Sequence, residues 1–459
     1  MTLQENSYLQ DANAFYSSGN YERALECYDL ILEEFPKHLA ALGNKGATLY
    51  SLGEYDEAIT WCDSALELDP KDLVALYNKG LALDKLGKLK EAIQCFDKVL
   101  EIDPKHVYAL SNKGVTLYNL GEYDEAITWC DSALELDPKD LTTLYNKGLA
   151  LDKLGKFSEA IKWCDRALEI DPKYVFALHC KGNALYNQGK ITEAITWFDK
   201  TLEIDPNDAV ASSNKGAALY NLGNYNEAIK WFDRALEIDP KDAIALNGKG
   251  PALDKLGKLS EAITWYDNVL NLDPDNFAAS SNKGVVLYNL GNYVDAIKLF
   301  DRALGIHPKD LATLYNKGLA LDKLGKFKEA IKWFDKVLEI DPKYVFALYS
   351  KGVAFYNQGK LIEAITWFDK TLEIDPENVI ALSNKGAILY NLGNYGNAIK
   401  LFDRALEVNP RYIFALYSKG NALYNLAKYN EAIMWYDKVL AIDPKHVDAL
   451  NHKNLALDR

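Results

Sequence analysis

Histidine, cysteine, aspartate and glutamate would carry any chemistry in this chain, as bases, nucleophiles or metal ligands, and their spacing decides whether they can. The six histidines are His38, His106, His179, His307, His446 and His452. None stands in a His-Glu-x-x-His arrangement, which would set two imidazoles on one helix face around zinc. The six cysteines are Cys27, Cys62, Cys95, Cys130, Cys164 and Cys180, without the close paired spacing of a zinc site. There is no phosphate-cradling Gly-rich loop ending in Lys-Ser/Thr and no Gly-x-Ser-x-Gly nucleophile turn. The 66 acidic residues recur periodically, as solvated surface charge does. The expectation is no catalytic residue, no metal and no cofactor, and hence not an enzyme.

A second kind of chemistry, recognition, is better represented. Asn44, Asn78, Asn112, Asn146, Asn214, Asn282, Asn316 and Asn384 recur in register at multiples of 34 residues. An asparagine amide carries a donor and an acceptor, so it can pair with a peptide main chain irrespective of sequence. Tyr77, Tyr145, Tyr315, Tyr349 and Tyr417 stand one place earlier in the same register and would add flat contact area. The competing reading is that these asparagines only pack or hydrate their helices.

The elements that must position these residues follow from punctuation. Thirteen prolines, from Pro36 to Pro444, fall 34 residues apart. Placing proline at position 32 gives thirteen full repeats over residues 5–446 and a partial repeat over 447–459. Glycine marks position 8 (Gly46, Gly80, Gly114) and position 15 (Gly53, Gly87, Gly121) until Ala427 replaces it; alanine holds position 20 from Ala24 to Ala432. Residues 39–52 have apolar residues at helical spacing and end at Gly53, a left-handed stop. A second periodic stretch, from Glu57 to Leu68, ends before Asp69-Pro70, because proline cannot continue a helix. Asp72 is placed to cap the next helix. Small Gly46 and Ala58 allow close approach within the hairpin, and Leu49 and Leu66 fill the remainder. Two helices of ~12–14 residues cannot bury their apolar faces alone, so hairpins must stack. The fold class expected is all-α, a solenoid of thirteen helix hairpins forming one domain over residues 1–459.

On these residues the sequence resembles the tetratricopeptide repeat (TPR) family, nearly end to end, and the Asn-Lys-Gly run at positions 6 to 8 is similar to long archaeal-type arrays. The resemblance implies a right-handed superhelix whose first helices line a concave groove, with positions 2, 5, 6, 9, 12 and 13 facing it. It thus puts the asparagine series and the tyrosines in the groove. The series is similar to the groove asparagines of the TPR superhelix attached to O-linked GlcNAc transferase. The carboxylate-clamp mode of the family needs basic residues at positions 2, 5 and 6; here position 2 is mostly apolar (Val74, Phe176, Ile244, Phe346). The function implied is a protein-interaction scaffold that holds protein or peptide segments in its groove.

Two departures from the family pattern are informative. Position 7, often leucine, is lysine from Lys45 to Lys453, and position 25 is aspartate from Asp29 to Asp437. Both lie level with each other within a hairpin and across its junction, so a lysine–aspartate ladder is expected, with Lys147 near Asp131 or Asp165 and lysine stems covering apolar surface. All nine tryptophans stand at position 23 and are expected to pack between repeats. Five cysteines occupy position 23 or 24, where other copies carry large apolar residues. They read as small buried hydrophobes rather than disulfide or metal partners, which suits a reducing cytoplasm. Pro251 stands inside a first helix and should kink it.

Composition bounds the rest. A net charge of -14 and a pI near 5.1 argue against nucleic acid as partner, which needs a basic face. Met1 to Asn6 has no basic start and no apolar run, so no signal peptide is expected. No apolar stretch approaches the ~18 residues that span a bilayer, so no membrane is expected either. The alternative to a groove scaffold is self-association end to end, motivated by the apolar side that the last helix, residues 447–459, would leave open.

Overall fold

A computed structural model describes residues 3–459, with side chains from residue 7 onward. Met1, Thr2 and the side chains of residues 3–6, where the signal-peptide expectation falls, lie outside the described residues. The described residues form 27 α-helices, from Leu3–Ser17 to Val447–Leu457, paired into hairpins at the period of the prolines. Backbone contacts divide the chain into two compact units, residues 1–248 and 249–459. Within each unit successive hairpins stack in chain order.

One repeat explains all of them. Its first helix, Leu39–Leu52, starts where His38 accepts the amide of Ala41 through Nδ1 at 3.1 Å. His106 and His446 cap their helices in the same way, at 3.1 and 3.2 Å. Three histidines are thus accounted for as helix caps. The helix ends at Gly53, whose φ of 89° is the left-handed region closed to most side chains. Eleven further glycines repeat that stop among the described residues, and Ala427, at φ 60°, makes it without glycine. The second helix, Tyr55–Leu68, begins two residues before the expected Glu57, since Tyr55 and Asp56 complete its first turn. The Asp-Pro corner that follows is fixed by Asp69, whose Oδ1 accepts the amide of Lys71 at 2.9 Å. Asp72 then caps the next helix by accepting the amide of Ala75 at 2.8 Å.

The core sits between the two helices of each hairpin. Ala58 is wholly buried, and a Cβ on Gly46 would lie 3.1 Å from its carbonyl oxygen. Position 24 fills the space left by position 8: Phe96, Phe198, Phe232, Phe300, Phe334, Phe368 and Phe402 are buried rings lying against glycine. A Cβ on Gly352 would stand 2.8 Å from the Phe368 ring, so only glycine lets the helices approach this closely. Cys62, Cys95 and Cys130 are free and buried, as small hydrophobes should be. For Cys164 and Cys180 the expectation is corrected: they are joined in a disulfide, with Cα atoms 6.2 Å apart. Position 24 of the fifth repeat and position 6 of the sixth meet across the hairpin junction, one residue before the Asp165–Lys181 pair.

The helix Ala243–Lys255 runs unbroken with Pro251 inside it. Proline at this place carries a local cost of ~3 kcal/mol relative to alanine.

Candidate functional site

Along a first helix, positions 2, 5, 6, 9 and 13 share one face at 3.6 residues per turn, while 3, 8, 10 and 11 turn inward. The structure follows this division. Ala75, Gly80, Ala82 and Leu83 are buried in the third repeat, whereas Val74 is exposed. Position 2 forms a row of exposed apolar side chains: Val74, Tyr108, Phe176 and Val210 in the first unit, Phe346, Ile380 and Phe414 in the second. Tyr108 is 69% exposed and Phe346 64%, high for aromatic side chains.

Beside that row lie the asparagines and tyrosines singled out from sequence, all half-buried. The structure joins the two series. Asn112 donates from Nδ2 to the Tyr77 hydroxyl at 2.9 Å, and Asn384 to the Tyr349 hydroxyl at 2.9 Å, each reaching back one repeat. Tyr315 meets Ser350 at 3.1 Å, and Tyr417 meets His452 Nδ1 at 2.7 Å, with the Tyr417 and His452 rings stacked. Asn44 donates to Asn13 at 3.1 Å and Asn214 to Asn183 at 3.0 Å, while Asn78 bonds the Val74 carbonyl of its own helix at 2.8 Å. Asn146, Asn282 and Asn316 make no side-chain hydrogen bond among the described residues. The amides are therefore not uniformly free, as a simple ladder would have them. Several donors are committed to the scaffold, and the side-chain amide oxygens of Asn78, Asn112 and Asn384 accept nothing among the described residues.

Burial pushes the phenols of Tyr77 and Tyr145 up to about 12, and those of Tyr315, Tyr349 and Tyr417 upward as well. They remain neutral donors and acceptors at any ordinary pH. Aromatic clusters mark particular stretches: Tyr145, Tyr174 and Phe176 in the first unit, with Tyr145 and Phe176 centroids 5.5 Å apart. The second unit repeats this with Tyr315, Tyr344 and Phe346, where Tyr315 and Tyr344 are 5.6 Å apart. Around the latter lies a cleft of about 350 Å³, lined by Tyr288, Tyr315, Asp322, Phe346, Tyr349 and Ile380 among others. These are positions 2, 5 and 12 of consecutive repeats.

The lysine–aspartate ladder is present, its pairs running across hairpin junctions within each unit. Lys79 meets Asp63 at 2.5 Å, Lys181 meets Asp165 at 2.5 Å and Lys453 meets Asp437 at 2.6 Å. Lys45, Lys113, Lys147, Lys215, Lys283, Lys317, Lys351, Lys385 and Lys419 likewise pair with the aspartate of the preceding repeat. Sequence reasoning missed the other half of this device. Each of the nine tryptophans lies beneath the position-7 lysine of its own repeat, for example Lys147 Nζ at 3.6 Å from the Trp163 ring centroid and Lys351 at 3.5 Å from Trp367. The signal was there, since positions 7 and 23 lie opposite each other across the hairpin turn. These residues are architecture, and among the described residues no His, Cys, Asp and Glu cluster could hold a metal ion.

Comparison with known proteins agrees with this geometry. Family models described as tetratricopeptide repeat match residues 9–72 and 247–311, residues 163–196, and residues 74–106, 107–140, 142–174, 209–242, 312–344, 379–412 and 413–446. A further one, described as TPR repeat, matches 182–223 and 352–393. No curated protein matches the sequence. Among solved structures, the APC/C hetero-tetramer Cut9–Hcn1 is similar over 100% of this chain and 97% of that one, at 17% identity and a TM-score of 0.51, which shows the fold alone. A tetratricopeptide repeat protein from Parabacteroides merdae ATCC 43184 covers 55% of this chain and 100% of its own at 18% identity and TM-score 0.47. Yeast Tom70 covers 92% and 96% at 19% identity and TM-score 0.40.

Proposed function

We propose, from the premise that this chain belongs to the tetratricopeptide repeat family, that it is a scaffold binding extended segments of partner proteins along its first helices. The family is typically one of non-enzymatic protein-interaction scaffolds. The finer reading rests on one observation above the others: the exposed apolar side chains at position 2 stand next to half-buried amides and phenols. A peptide laid along that face buries alternate side chains against Tyr108, Phe176 or Phe346 while its main chain meets amide oxygens. One uninterrupted solenoid over residues 1–459 and a cytoplasmic setting belong to the same proposal. The free Cys62, Cys95 and Cys130 support that setting, whereas the Cys164–Cys180 disulfide runs against it. No helix among the described residues is long and apolar enough to cross a membrane.

The test is selection of random dodecapeptides displayed against the full chain. Selected peptides should lose affinity when Asn112, Asn146 and Asn214 become Ala or when Phe176 becomes Ser, with helicity unchanged. Peptides indifferent to all of these changes would defeat the groove reading. Self-association is the second reading, supported by Val447, Leu450, Leu455 and Leu457, which are exposed on the last helix. Sedimentation over a concentration range separates the two, since a strict monomer removes the second.

A further inference from the structure

The cleft in the second unit sets a buried acid among aromatic rings. Position 12 is tyrosine in most repeats but aspartate at Asp84, Asp152, Asp254 and Asp322. Asp322 lines the cleft with the rings of Tyr288, Tyr315, Phe346 and Tyr349. Its Oδ1 is buried and has no hydrogen-bond partner among the described residues. Burial raises its pKa, against a side-chain hydrogen bond from Asn357 and the charge of Lys323. Lys323, next along the helix, is exposed and forms no ion pair with it. The counterpart 170 residues earlier is better served: Asn187 donates to both oxygens of Asp152, at 3.1 and 3.0 Å.

A carboxylate withdrawn from water without full replacement of its hydrogen bonds is costly to keep, and a cation beside it removes the cost. Aromatic rings around it favour the same charge, because ring faces attract ammonium and guanidinium groups. Phe346 and Ile380, exposed at the cleft, offer apolar contact to residues flanking that cation. We propose that this cleft selects an extended peptide by a lysine or arginine side chain, seated against Asp322 among Tyr288, Tyr315 and Tyr349, with an apolar neighbour on Phe346. The inference rests on the groove-binding reading and adds the class of side chain recognised there.

The experiment pans a random dodecapeptide library on the full chain, with counter-selection against a Phe346→Ser variant so that only cleft-dependent peptides survive. The survivors should share a basic residue beside an apolar one. Asp322→Asn, which keeps shape and removes charge, should weaken them about tenfold or more, as loss of a charged hydrogen bond does. Glu329→Gln, an equal loss of charge on the second helix of the same repeat, should leave binding unchanged. Survivors without a basic residue, or an Asp322→Asn variant that binds as tightly as the parent chain, would overturn the cation site and leave groove binding standing. If nothing is enriched even before counter-selection, both readings fall together.

Discussion

Lys147 is the sharpest place to test what holds successive hairpins together. Its ammonium pairs with Asp131 of the preceding repeat and stands 3.6 Å from the centroid of Trp163 in its own. The lysine side chain is 7% exposed and the aspartate 48%. The half-exposed ion pair contributes about 0–1 kcal/mol. The cation over the ring contributes about 1–2 kcal/mol, because water is largely excluded there. Desolvating the ammonium offsets part of this, so Lys147→Met, which keeps the stem and removes the charge, should cost about 1 kcal/mol. Lys147→Ala also strips roughly three methylenes from apolar surface at ~0.8 kcal/mol each, bringing the loss to about 3 kcal/mol. A long array does not unfold in one step, so the proper readout is native-state amide exchange within Leu141–Lys153 and Phe157–Ile170. The methionine variant should exchange roughly fivefold faster there, since 1.4 kcal/mol is a factor of ten. Arg166 also approaches Trp163, at 4.5 Å, so a cycle pairing Lys147→Met with Trp163→Leu is needed to isolate the lysine's share. A coupling near zero, or equal damage from methionine and alanine, would refute the sandwich and leave only stem packing.

Other outcomes follow from single positions. Gly352→Ala should destabilise its repeat by about 1–3 kcal/mol in local exchange, because the new Cβ meets the Phe368 ring at 2.8 Å. Ala427→Gly should stabilise the last hairpin by about 1 kcal/mol, since φ 60° is costly for any residue with a Cβ; a thermal scan followed by exchange at Tyr429–Ile442 reads this out. Around Pro251, Ala252 to Asp254 should exchange faster than Ala320 to Asp322, and equal protection would show that its neighbours fully offset the missing amide.

The hairpin register was legible because each landmark answers a mechanical need. Glycine at position 15 supplies a positive φ, glycine at position 8 admits the ring at position 24, and Asp-Pro turns the corner. The lysine–aspartate pairing was legible too, but its direction was not. Two aspartates lie level with Lys147, and Trp163 takes the flank toward its own second helix, which leaves Asp131 as the partner. The bond from Asn112 to Tyr77 escaped notice for a different reason. It depends on how far one hairpin slides against the next, and that offset is set by packing rather than by spacing along the chain. Of the candidate site, the row at position 2 and the amide series were readable as residues. Which amides keep an open acceptor was not.

The central claim is that the first helices form the binding face. Hydrogen exchange of the full chain with and without a peptide selected on the Phe346-dependent cleft tests it most directly. Added protection is expected in the first helices Leu311–Lys323 and Val345–Asn357, and none in the second helices Phe327–Ile340 and Leu361–Ile374. Protection confined to those second helices, or to the exposed face of Val447–Leu457, would contradict it.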